Sequence, residues 1–452
     1  MRAVVLLMGY YGSALYGFLN PIFGTLFFVH ILLFRPENLL WGNKAFGRLH
    51  LITSLLILSG YILWSDHRAR RYGLDFQQKN VLIFLLFVGG LLLSTIFSET
   101  SSAMSYERTF DVAKIFLICF LFSRLFVTEK ALDAYLWVSI LSLGALSVWG
   151  IQQGLRGNPR LDTLTVGGSN YLAAQLVLLV PLALAKACDA KLSRPARLGA
   201  WGCAIAMSLC IVYSNSRGGF LGAAFAVLWF LGWSKARLRI IVGIGLAGIL
   251  MLPWIPQNYT TRLSSISADS EEQDLSARVR PVLWKIALRI WRDHPYLGVG
   301  PENFSLAKET YAFKVGDIIE SQDEYDHIFG QTRYTHGLYP GMLAETGIVG
   351  TGLFLILVLR NLVCRLPRSF VNSALHQNCV IQLRGAQAGL IGFAVAAFFG
   401  DFQYIELLYF QIFFVGAVRR YAEHVNYAVS VGKQVLPRTA ESIITRATHA
   451  TV

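Results

Sequence analysis

The chain has 452 residues, of which 54% are hydrophobic, 13% aromatic and only 15% charged, with a formal net charge of +13. An average soluble domain carries roughly 25% charged residues, so this composition excludes an ordinary soluble enzyme and points to a membrane protein. The positive excess is not a nucleic-acid footprint, because the basic residues fall in short clusters beside apolar segments, where they act as orientation signals.

Apolar segments occur near residues 3–34, 49–65, 79–97, 108–127, 131–152, 169–187, 197–214, 217–233, 238–256, 337–360, 383–402 and 404–418. Since about 20 apolar residues cross a bilayer, these predict an all-α polytopic bundle of about twelve spans. The first segment is long enough for two short helices broken around Asn20 and Pro21. The opening sequence MRAVVLLMGYYGSALYGFLN lacks a small-residue cleavage site and reads as a membrane segment, not as a removed signal peptide.

The basic clusters DHRARRYG, KACDAKLSRPAR, WSKARLR, RNLVCRLPR and RRYAEH fall on alternate connections, and the positive-inside rule assigns them to the cytoplasm. That leaves 98–107, 153–168, the tight turn 214–218, the long segment 257–336 and a brief turn near Gly400 outside. None of these holds a cysteine, as suits an oxidising exterior. The six cysteines, Cys119, Cys188, Cys203, Cys210, Cys364 and Cys379, have no metal or redox spacing.

Within 257–336, Pro281 marks an expected helix start, and PVLWKIALRIWRDHP is closed by Pro295 and Gly298. Lys285, Arg289 and Arg292 share one face, and Leu283, Ala287 and Ile290 lie opposite, so this helix is amphipathic and is expected at the membrane surface.

Four outer features can carry chemistry. YSNSRGGF places Arg217 in a tight turn beside Ser216, Gly218 and Gly219, a planar fork of donors among small neighbours that let an anion approach. The bland alternative is an arginine snorkelling at a helix end. SARVRPVLW sets Arg278 and Arg280 just before the expected helix start, where arginine and free N–H groups together suit a phosphate. HPYLGVGPENF, residues 294–304, reads as a glycine turn.

The fourth feature is THGLYPGMLAETGIVG, from Thr335, in which His336 enters the membrane and can act as a base or hydrogen-bond partner near neutral pH. Gly337 and Gly341 form a G-x-x-x-G step suited to tight helix packing. Glu345 lies nine residues on, half a turn out of phase with His336 on a regular helix, which argues against an acid–base pair and for a carboxylate bound to helix termini or polar groups. The acidic run ESQDEYDH, 320–327, reads as a solvated loop more readily than as a metal site. No phosphate-binding loop, zinc-ligand pair or nucleophile elbow occurs.

Taken in order, GGSNYLAA (167–174), SNSRGG (214–219), Arg280 four residues before Trp284, HPYLGVGPENF and THGLYPGMLAETGIVG resemble the O-antigen ligase and polymerase superfamily over roughly residues 165–360. The resemblance implies a GT-C-like bacterial inner-membrane bundle with N-terminal spans (1–164), a ligase-like domain (165–418) containing the external loop 257–336, and a cytoplasmic tail (419–452). It implies transfer of a glycan from a polyprenyl-diphosphate carrier to an acceptor hydroxyl on a glycan, lipid or protein at the periplasmic face, with no metal, nucleotide or other cofactor and no nucleic acid.

On this resemblance Arg217 and Arg280 take the diphosphate and His336 activates the acceptor, with substrate contacts from Arg278, Asn170, Tyr171, Ser216 and Asn303. The family often has a polar residue after the histidine where this chain has Gly337, so acceptor contacts are expected to differ. A repeat-unit polymerase shares the donor chemistry. A transporter of lipid-linked sugars would show paired repeats or midplane ionisable groups, and no internal repeat is seen.

Overall fold

A computed structural model describes residues 2–36, 49–64, 75–98, 103–157, 161, 168–234, 236–251, 275–311, 322–329, 334–367 and 374–430. All regular structure among them is helical. Much of the expected outer loop (257–274, 312–321 and 330–333), the basic cluster 66–73 and residues 431–452 of the expected tail lie outside the described residues, while residues 419–430, expected as the start of that tail, belong to the last helix.

The N-terminal part comprises α1 (Arg2–Leu19), α2 (Pro21–Phe34), α3 (Leu49–Trp64), α4 (Phe76–Ile96), α5 (Ala103–Leu125) and α6 (Glu129–Leu155). Then come α7 (Gly168–Ala187), α8 (Arg194–Tyr213), α9 (Arg217–Trp233) and α10 (Arg237–Met251). The amphipathic α11 (Leu275–Asp293), two short helices α12 (Phe304–Ala307) and α13 (Gln322–Phe329), α14 (Leu338–Leu362), α15 (Ala374–Ala396) with a 3₁₀ turn (Ala397–Phe399), and α16 (Glu406–Ser430) complete the order.

The first apolar segment is two helices. Asn20 accepts a hydrogen bond from the Phe23 N–H (3.1 Å) as N-cap of α2, and Pro21 takes the first helical position, where its missing N–H costs nothing.

Six described helices are long and apolar enough to cross a membrane: Phe76–Ile96, Glu129–Leu155, Gly168–Ala187, Arg194–Tyr213, Leu338–Leu362 and Gln377–Phe399. The chain is therefore a multi-pass membrane protein. The expected count of about twelve is not reached on length and apolarity. Pro21–Phe34, Leu49–Trp64 and Arg217–Trp233 are apolar but shorter, and α5 and α16 carry several charges among their apolar residues.

Close helix approach builds the centre. A β-carbon on Gly222 of α9 would lie 2.5 Å from the Gly392 carbonyl of α15, and one on Gly389 would lie 2.2 Å from the Leu178 carbonyl of α7. These three helices pack backbone to backbone, which side chains of any size would prevent. Through α16, a buried run from Leu407 to Phe414 fills the core, and Tyr409 stacks on Phe84 of α4 at 4.5 Å. At the other end of α4, Arg420 grips Asp75 with two nitrogens (2.8 and 3.0 Å) and donates to the Ser123 carbonyl (2.7 Å). This fork geometry ties α16 to α4 and α5.

Two expectations about the outer segment are corrected. Pro281 lies inside α11, which begins at Leu275. Val279, Val282, Leu283, Ile286, Ala287 and Ile290 are all buried, so the apolar stripe continues unbroken across the proline. An interior proline costs about 3 kcal/mol, whereas each fully buried aliphatic contributes about 1.5–3 kcal/mol, and packing wins. Gly337 and Gly341 are not a helix-packing step either. Gly337 precedes α14 as its N-cap, and a β-carbon on Gly341 would lie 2.5 Å from Thr335 Oγ1, so these glycines admit a loop and not a helix.

α14 is broken at Gly347 (φ 58°, ψ −164°), a conformation open essentially to glycine. The turn after α11 fills the break with main-chain hydrogen bonds: Val299 N–H to Ala344 O (3.0 Å), Gly300 N–H to Glu345 O (2.8 Å), Ile348 N–H to Pro295 O (2.9 Å) and Val349 N–H to Tyr296 O (3.2 Å). A β-carbon on Gly347 would also strike the Tyr296 carbonyl at 2.3 Å. Gly347→Ala is therefore expected to lower the thermal midpoint in detergent by several degrees and to reduce folded yield. Gly352→Ala, on the same helix with nothing within 4 Å of its β-carbon, is expected to leave both unchanged; equal behaviour of the two variants would refute the clasp.

Candidate functional site

The site grows from the loop Thr335–Gly337 that leads into α14. His336 is held at φ 50°, a left-handed conformation that costs an L-residue about 1–2 kcal/mol. Asp401, in the turn between the 3₁₀ helix and α16, offsets that strain. Its Oδ2 accepts the His336 N–H (2.8 Å), its Oδ1 accepts the Thr335 hydroxyl, and the Gly337 N–H also donates to it. Charge-assisted bonds of this kind are about twice as strong as neutral ones. His336 therefore precedes the helix, and the helical-phase argument relating it to Glu345 does not apply.

Two arginine-bearing elements meet the same corner. The Ser216 hydroxyl caps α9 by accepting the Gly219 N–H (3.1 Å), which fixes Arg217 as the first helical residue with an exposed side chain. Beside it, a β-carbon on Gly218 would lie 2.6 Å from Phe399 Cβ. The Arg280 guanidinium sits 5.8 Å from the centre of that same Phe399 ring and within electrostatic reach of Asp401. One turn along α11, Trp284 Nε1 would come within 2.7 Å of a β-carbon on Gly337, so no side chain fits at 337.

Phe399 is thus the shared surface on which the start of α9 and Arg280 converge, two residues from Asp401. Burial pushes the Asp401 carboxyl above its ordinary range, opposed by the Thr335 hydroxyl, the two N–H groups and Arg280. The arrangement sets two guanidinium-bearing elements beside a half-buried histidine whose backbone is fixed by a carboxylate.

The remaining candidates are placed elsewhere. Arg278 and Arg280 lie within α11 and not before it, so the free N–H groups of a helix start do not join Arg280 in an anion site; the Arg278 side chain lies outside the described ones. Asn303 is buried and donates to the Val299 carbonyl (2.8 Å) and Ser98 (3.3 Å), closing the glycine turn. At the start of α7, Asn170 is exposed, while the Tyr171 hydroxyl donates to Glu406 (2.9 Å). Glu345 is buried; the N–H groups of Glu302 and Phe304 and the Tyr404 hydroxyl (3.4 Å) surround its carboxylate at the start of α12. Residues 322–327 of the acidic run belong to α13, whose Ile328 packs against α11.

Sequence reasoning passed over Asp401 and Phe399, which lie in a turn counted only as a connection. The signal was present: a carboxylate in the turn between two apolar segments, on the side assigned to His336.

Residues 202–355 match the family described as O-Antigen ligase, and residues 1–171 match a family of unknown function, DUF5935. The chain carries an O-antigen ligase domain. No curated protein matches the chain. The ligase domain contains Ser216, Arg217, Arg280 and His336, while Phe399 and Asp401 lie beyond it.

Because the folded pKa of Asp401 is raised, the folded protein holds this proton more tightly than the unfolded chain does. The contribution of Asp401 to stability is therefore greatest below its ordinary value of 3.8 and declines as pH rises through the elevated folded value. Asp401→Asn should flatten that decline. Thermal midpoints of both proteins from acid to neutral pH test this, and parallel curves would contradict it.

Proposed function

We propose that this chain is a membrane glycosyltransferase that moves a glycan from a polyprenyl-diphosphate carrier to an acceptor hydroxyl at the periplasmic face of the bacterial inner membrane. The observation that carries the reading is the convergence of the α9 start and Arg280 on Phe399, beside the histidine loop fixed by Asp401. A lipid diphosphate already contains its leaving group, so the site has two tasks, to receive negative charge and to accept a proton.

In the proposed step the acceptor oxygen attacks the anomeric carbon, its proton passes to the His336 imidazole, and the bond from that carbon to the diphosphate oxygen breaks. Arg217 and Arg280 meet the charge of the departing diphosphate. Asp401 does not touch the substrate; by accepting the His336 N–H it sets the direction of the imidazole. The three shorter apolar helices, together with α1, α5, α10 and α16, add to the six long ones to bring the bundle to about twelve spans. No metal takes part in the proposed step.

Lysine keeps charge but loses the bidentate fork. Arg217→Lys and Arg280→Lys should each slow transfer by about 10–100-fold, below the roughly 100–1,000-fold loss of a whole transition-state donor because the charge remains, while folded yield is retained. His336→Ala should abolish transfer. Glu345→Gln keeps shape and most hydrogen bonds and should remain active. The assay is transfer from a purified lipid-diphosphate donor in liposomes, normalised to folded protein; near-normal rates in both lysine variants would remove the arginines from the site. Offered a lipid-linked repeat unit in place of a different acceptor, a polymerase would extend the glycan and a ligase would not.

Orientation has its own test. Ser265→Cys should react with an impermeant thiol reagent in spheroplasts and Ser373→Cys should not. The reverse pattern would invert the assignment of faces.

A further inference from the structure

The family of unknown function that matches residues 1–171 ends before the ligase domain begins, yet a side chain of the N-terminal part reaches residues that touch or flank the histidine loop. Arg108 stands in the second turn of α5. Its Nη2 pairs with Glu302 Oε1 at 2.8 Å, and its guanidinium lies 4.9 Å from the centre of the Tyr404 ring. The Glu302 side chain is only 12% exposed, and its backbone is left-handed at φ 62°.

Both partners of Arg108 lead to the His336–Asp401 hydrogen bond, from opposite ends. Glu302 hydrogen-bonds the Tyr334 phenol, two residues before His336. Tyr404 follows Asp401 by three residues, and its hydroxyl donates to the Glu345 carboxylate, which the Glu302 N–H also binds. The end of α4 adds to the grip, since the Ser94 hydroxyl bonds the Glu345 carbonyl (2.9 Å) and Ser98 bonds the Val299 carbonyl.

We infer that Arg108 is a positioning residue for His336: by neutralising Glu302 and stacking on Tyr404 it holds the segments that carry His336 and Asp401 in register, so that the N-terminal domain sets the direction of the imidazole. Glu302 sits beside Glu345, and a largely buried carboxylate that loses its cation must take up a proton or turn toward water. Turning toward water releases Tyr334, and protonation weakens its hydrogen bond by removing the charge on the acceptor. The left-handed loop after Tyr334 persists only while its surroundings over-determine it, so His336 relaxes away from Asp401.

A purely structural Arg108 would lower stability throughout the bundle; a positioning Arg108 acts on one loop. The inference uses the glycan-transfer reading only for its kinetic arm. The test takes the full chain in lipid nanodiscs and measures amide hydrogen exchange together with transfer kinetics for Arg108→Gln, Arg108→Lys, Tyr334→Phe and the double variant Arg108→Gln/Tyr334→Phe.

Arg108→Gln is expected to speed exchange in the peptide covering His336 and Gly337 by about 10-fold or more, leaving 348–362 unchanged, as befits local opening. Turnover should fall by about 10-fold or more, with the apparent KM for donor within about 2-fold, the pattern of lost orientation rather than lost binding. Arg108→Lys, which retains the charge, should recover most of both. The double variant should be no worse than the more affected single variant, because both act through one chain of contacts.

Uniformly faster exchange in all peptides, additive losses in the double variant, or a raised KM with unchanged turnover would each overturn the inference. If the unmodified protein transfers no glycan while the His336 peptide responds as stated, the functional reading fails and the positioning role stands. If transfer is robust and that peptide is indifferent to Arg108→Gln, the positioning role alone fails.

Discussion

The rest of the site depends on a break in α14 that another part of the chain repairs. A helix interrupted within a membrane protein leaves backbone N–H and C=O groups that lipid cannot satisfy. Here the turn 295–300 supplies the missing partners through four main-chain hydrogen bonds, with Gly347 and Gly298 at positive φ so that the two backbones can approach. Since that turn is the direct continuation of α11, the repair also fixes α11, with Arg280 and Trp284, against the helix that His336 introduces. Register between the cationic and histidine elements is thereby set by backbone geometry.

Around this clasp three described carboxyl groups each have polar partners. Glu345, deep in the sequence of an apolar helix, is received by two N–H groups and a tyrosine hydroxyl. Glu302 has Arg108, and Asp401 has two successive N–H groups and a threonine. The Glu345 and Asp401 carboxylates thus organise the backbone of a neighbouring segment, and Glu302 joins two side chains, which is how a bundle of simple helices comes to hold an irregular, strained loop in one conformation.

What could be read in advance follows from how far each determinant lies in sequence from what it touches. The all-α class, the division of the first segment at Asn20 and the amphipathic face of α11 depend on neighbours within a few residues, and they were legible. Arg217, Arg280 and His336 became candidates through a resemblance carried by five short motifs, and the elements that bear them meet at one corner of the structure. The extent of α11 was misjudged because local proline chemistry was weighed without the stripe beginning at Val279. The spacing of Gly337 and Gly341 suggests a helix-packing step because it does not reveal that α14 starts only at Leu338. Asp401 and Arg108 act across 65 and 194 residues respectively, as the Asp401 bond to His336 and the Arg108 pair with Glu302 show, and no periodicity announces such partners.

The shortness of α9 has a consequence for the lipid around it. Its 17 residues span about 26 Å at 1.5 Å per residue, against a hydrocarbon thickness of about 30 Å. A crossing made by this helix draws the bilayer thinner by a few ångström at the side where Arg217 stands, or sinks the arginine below the headgroup plane. In either case lipid phosphates come nearer to the guanidinium than a bilayer of ordinary thickness would bring them. The composition and thickness of the surrounding membrane thereby become part of the environment that Arg217 meets.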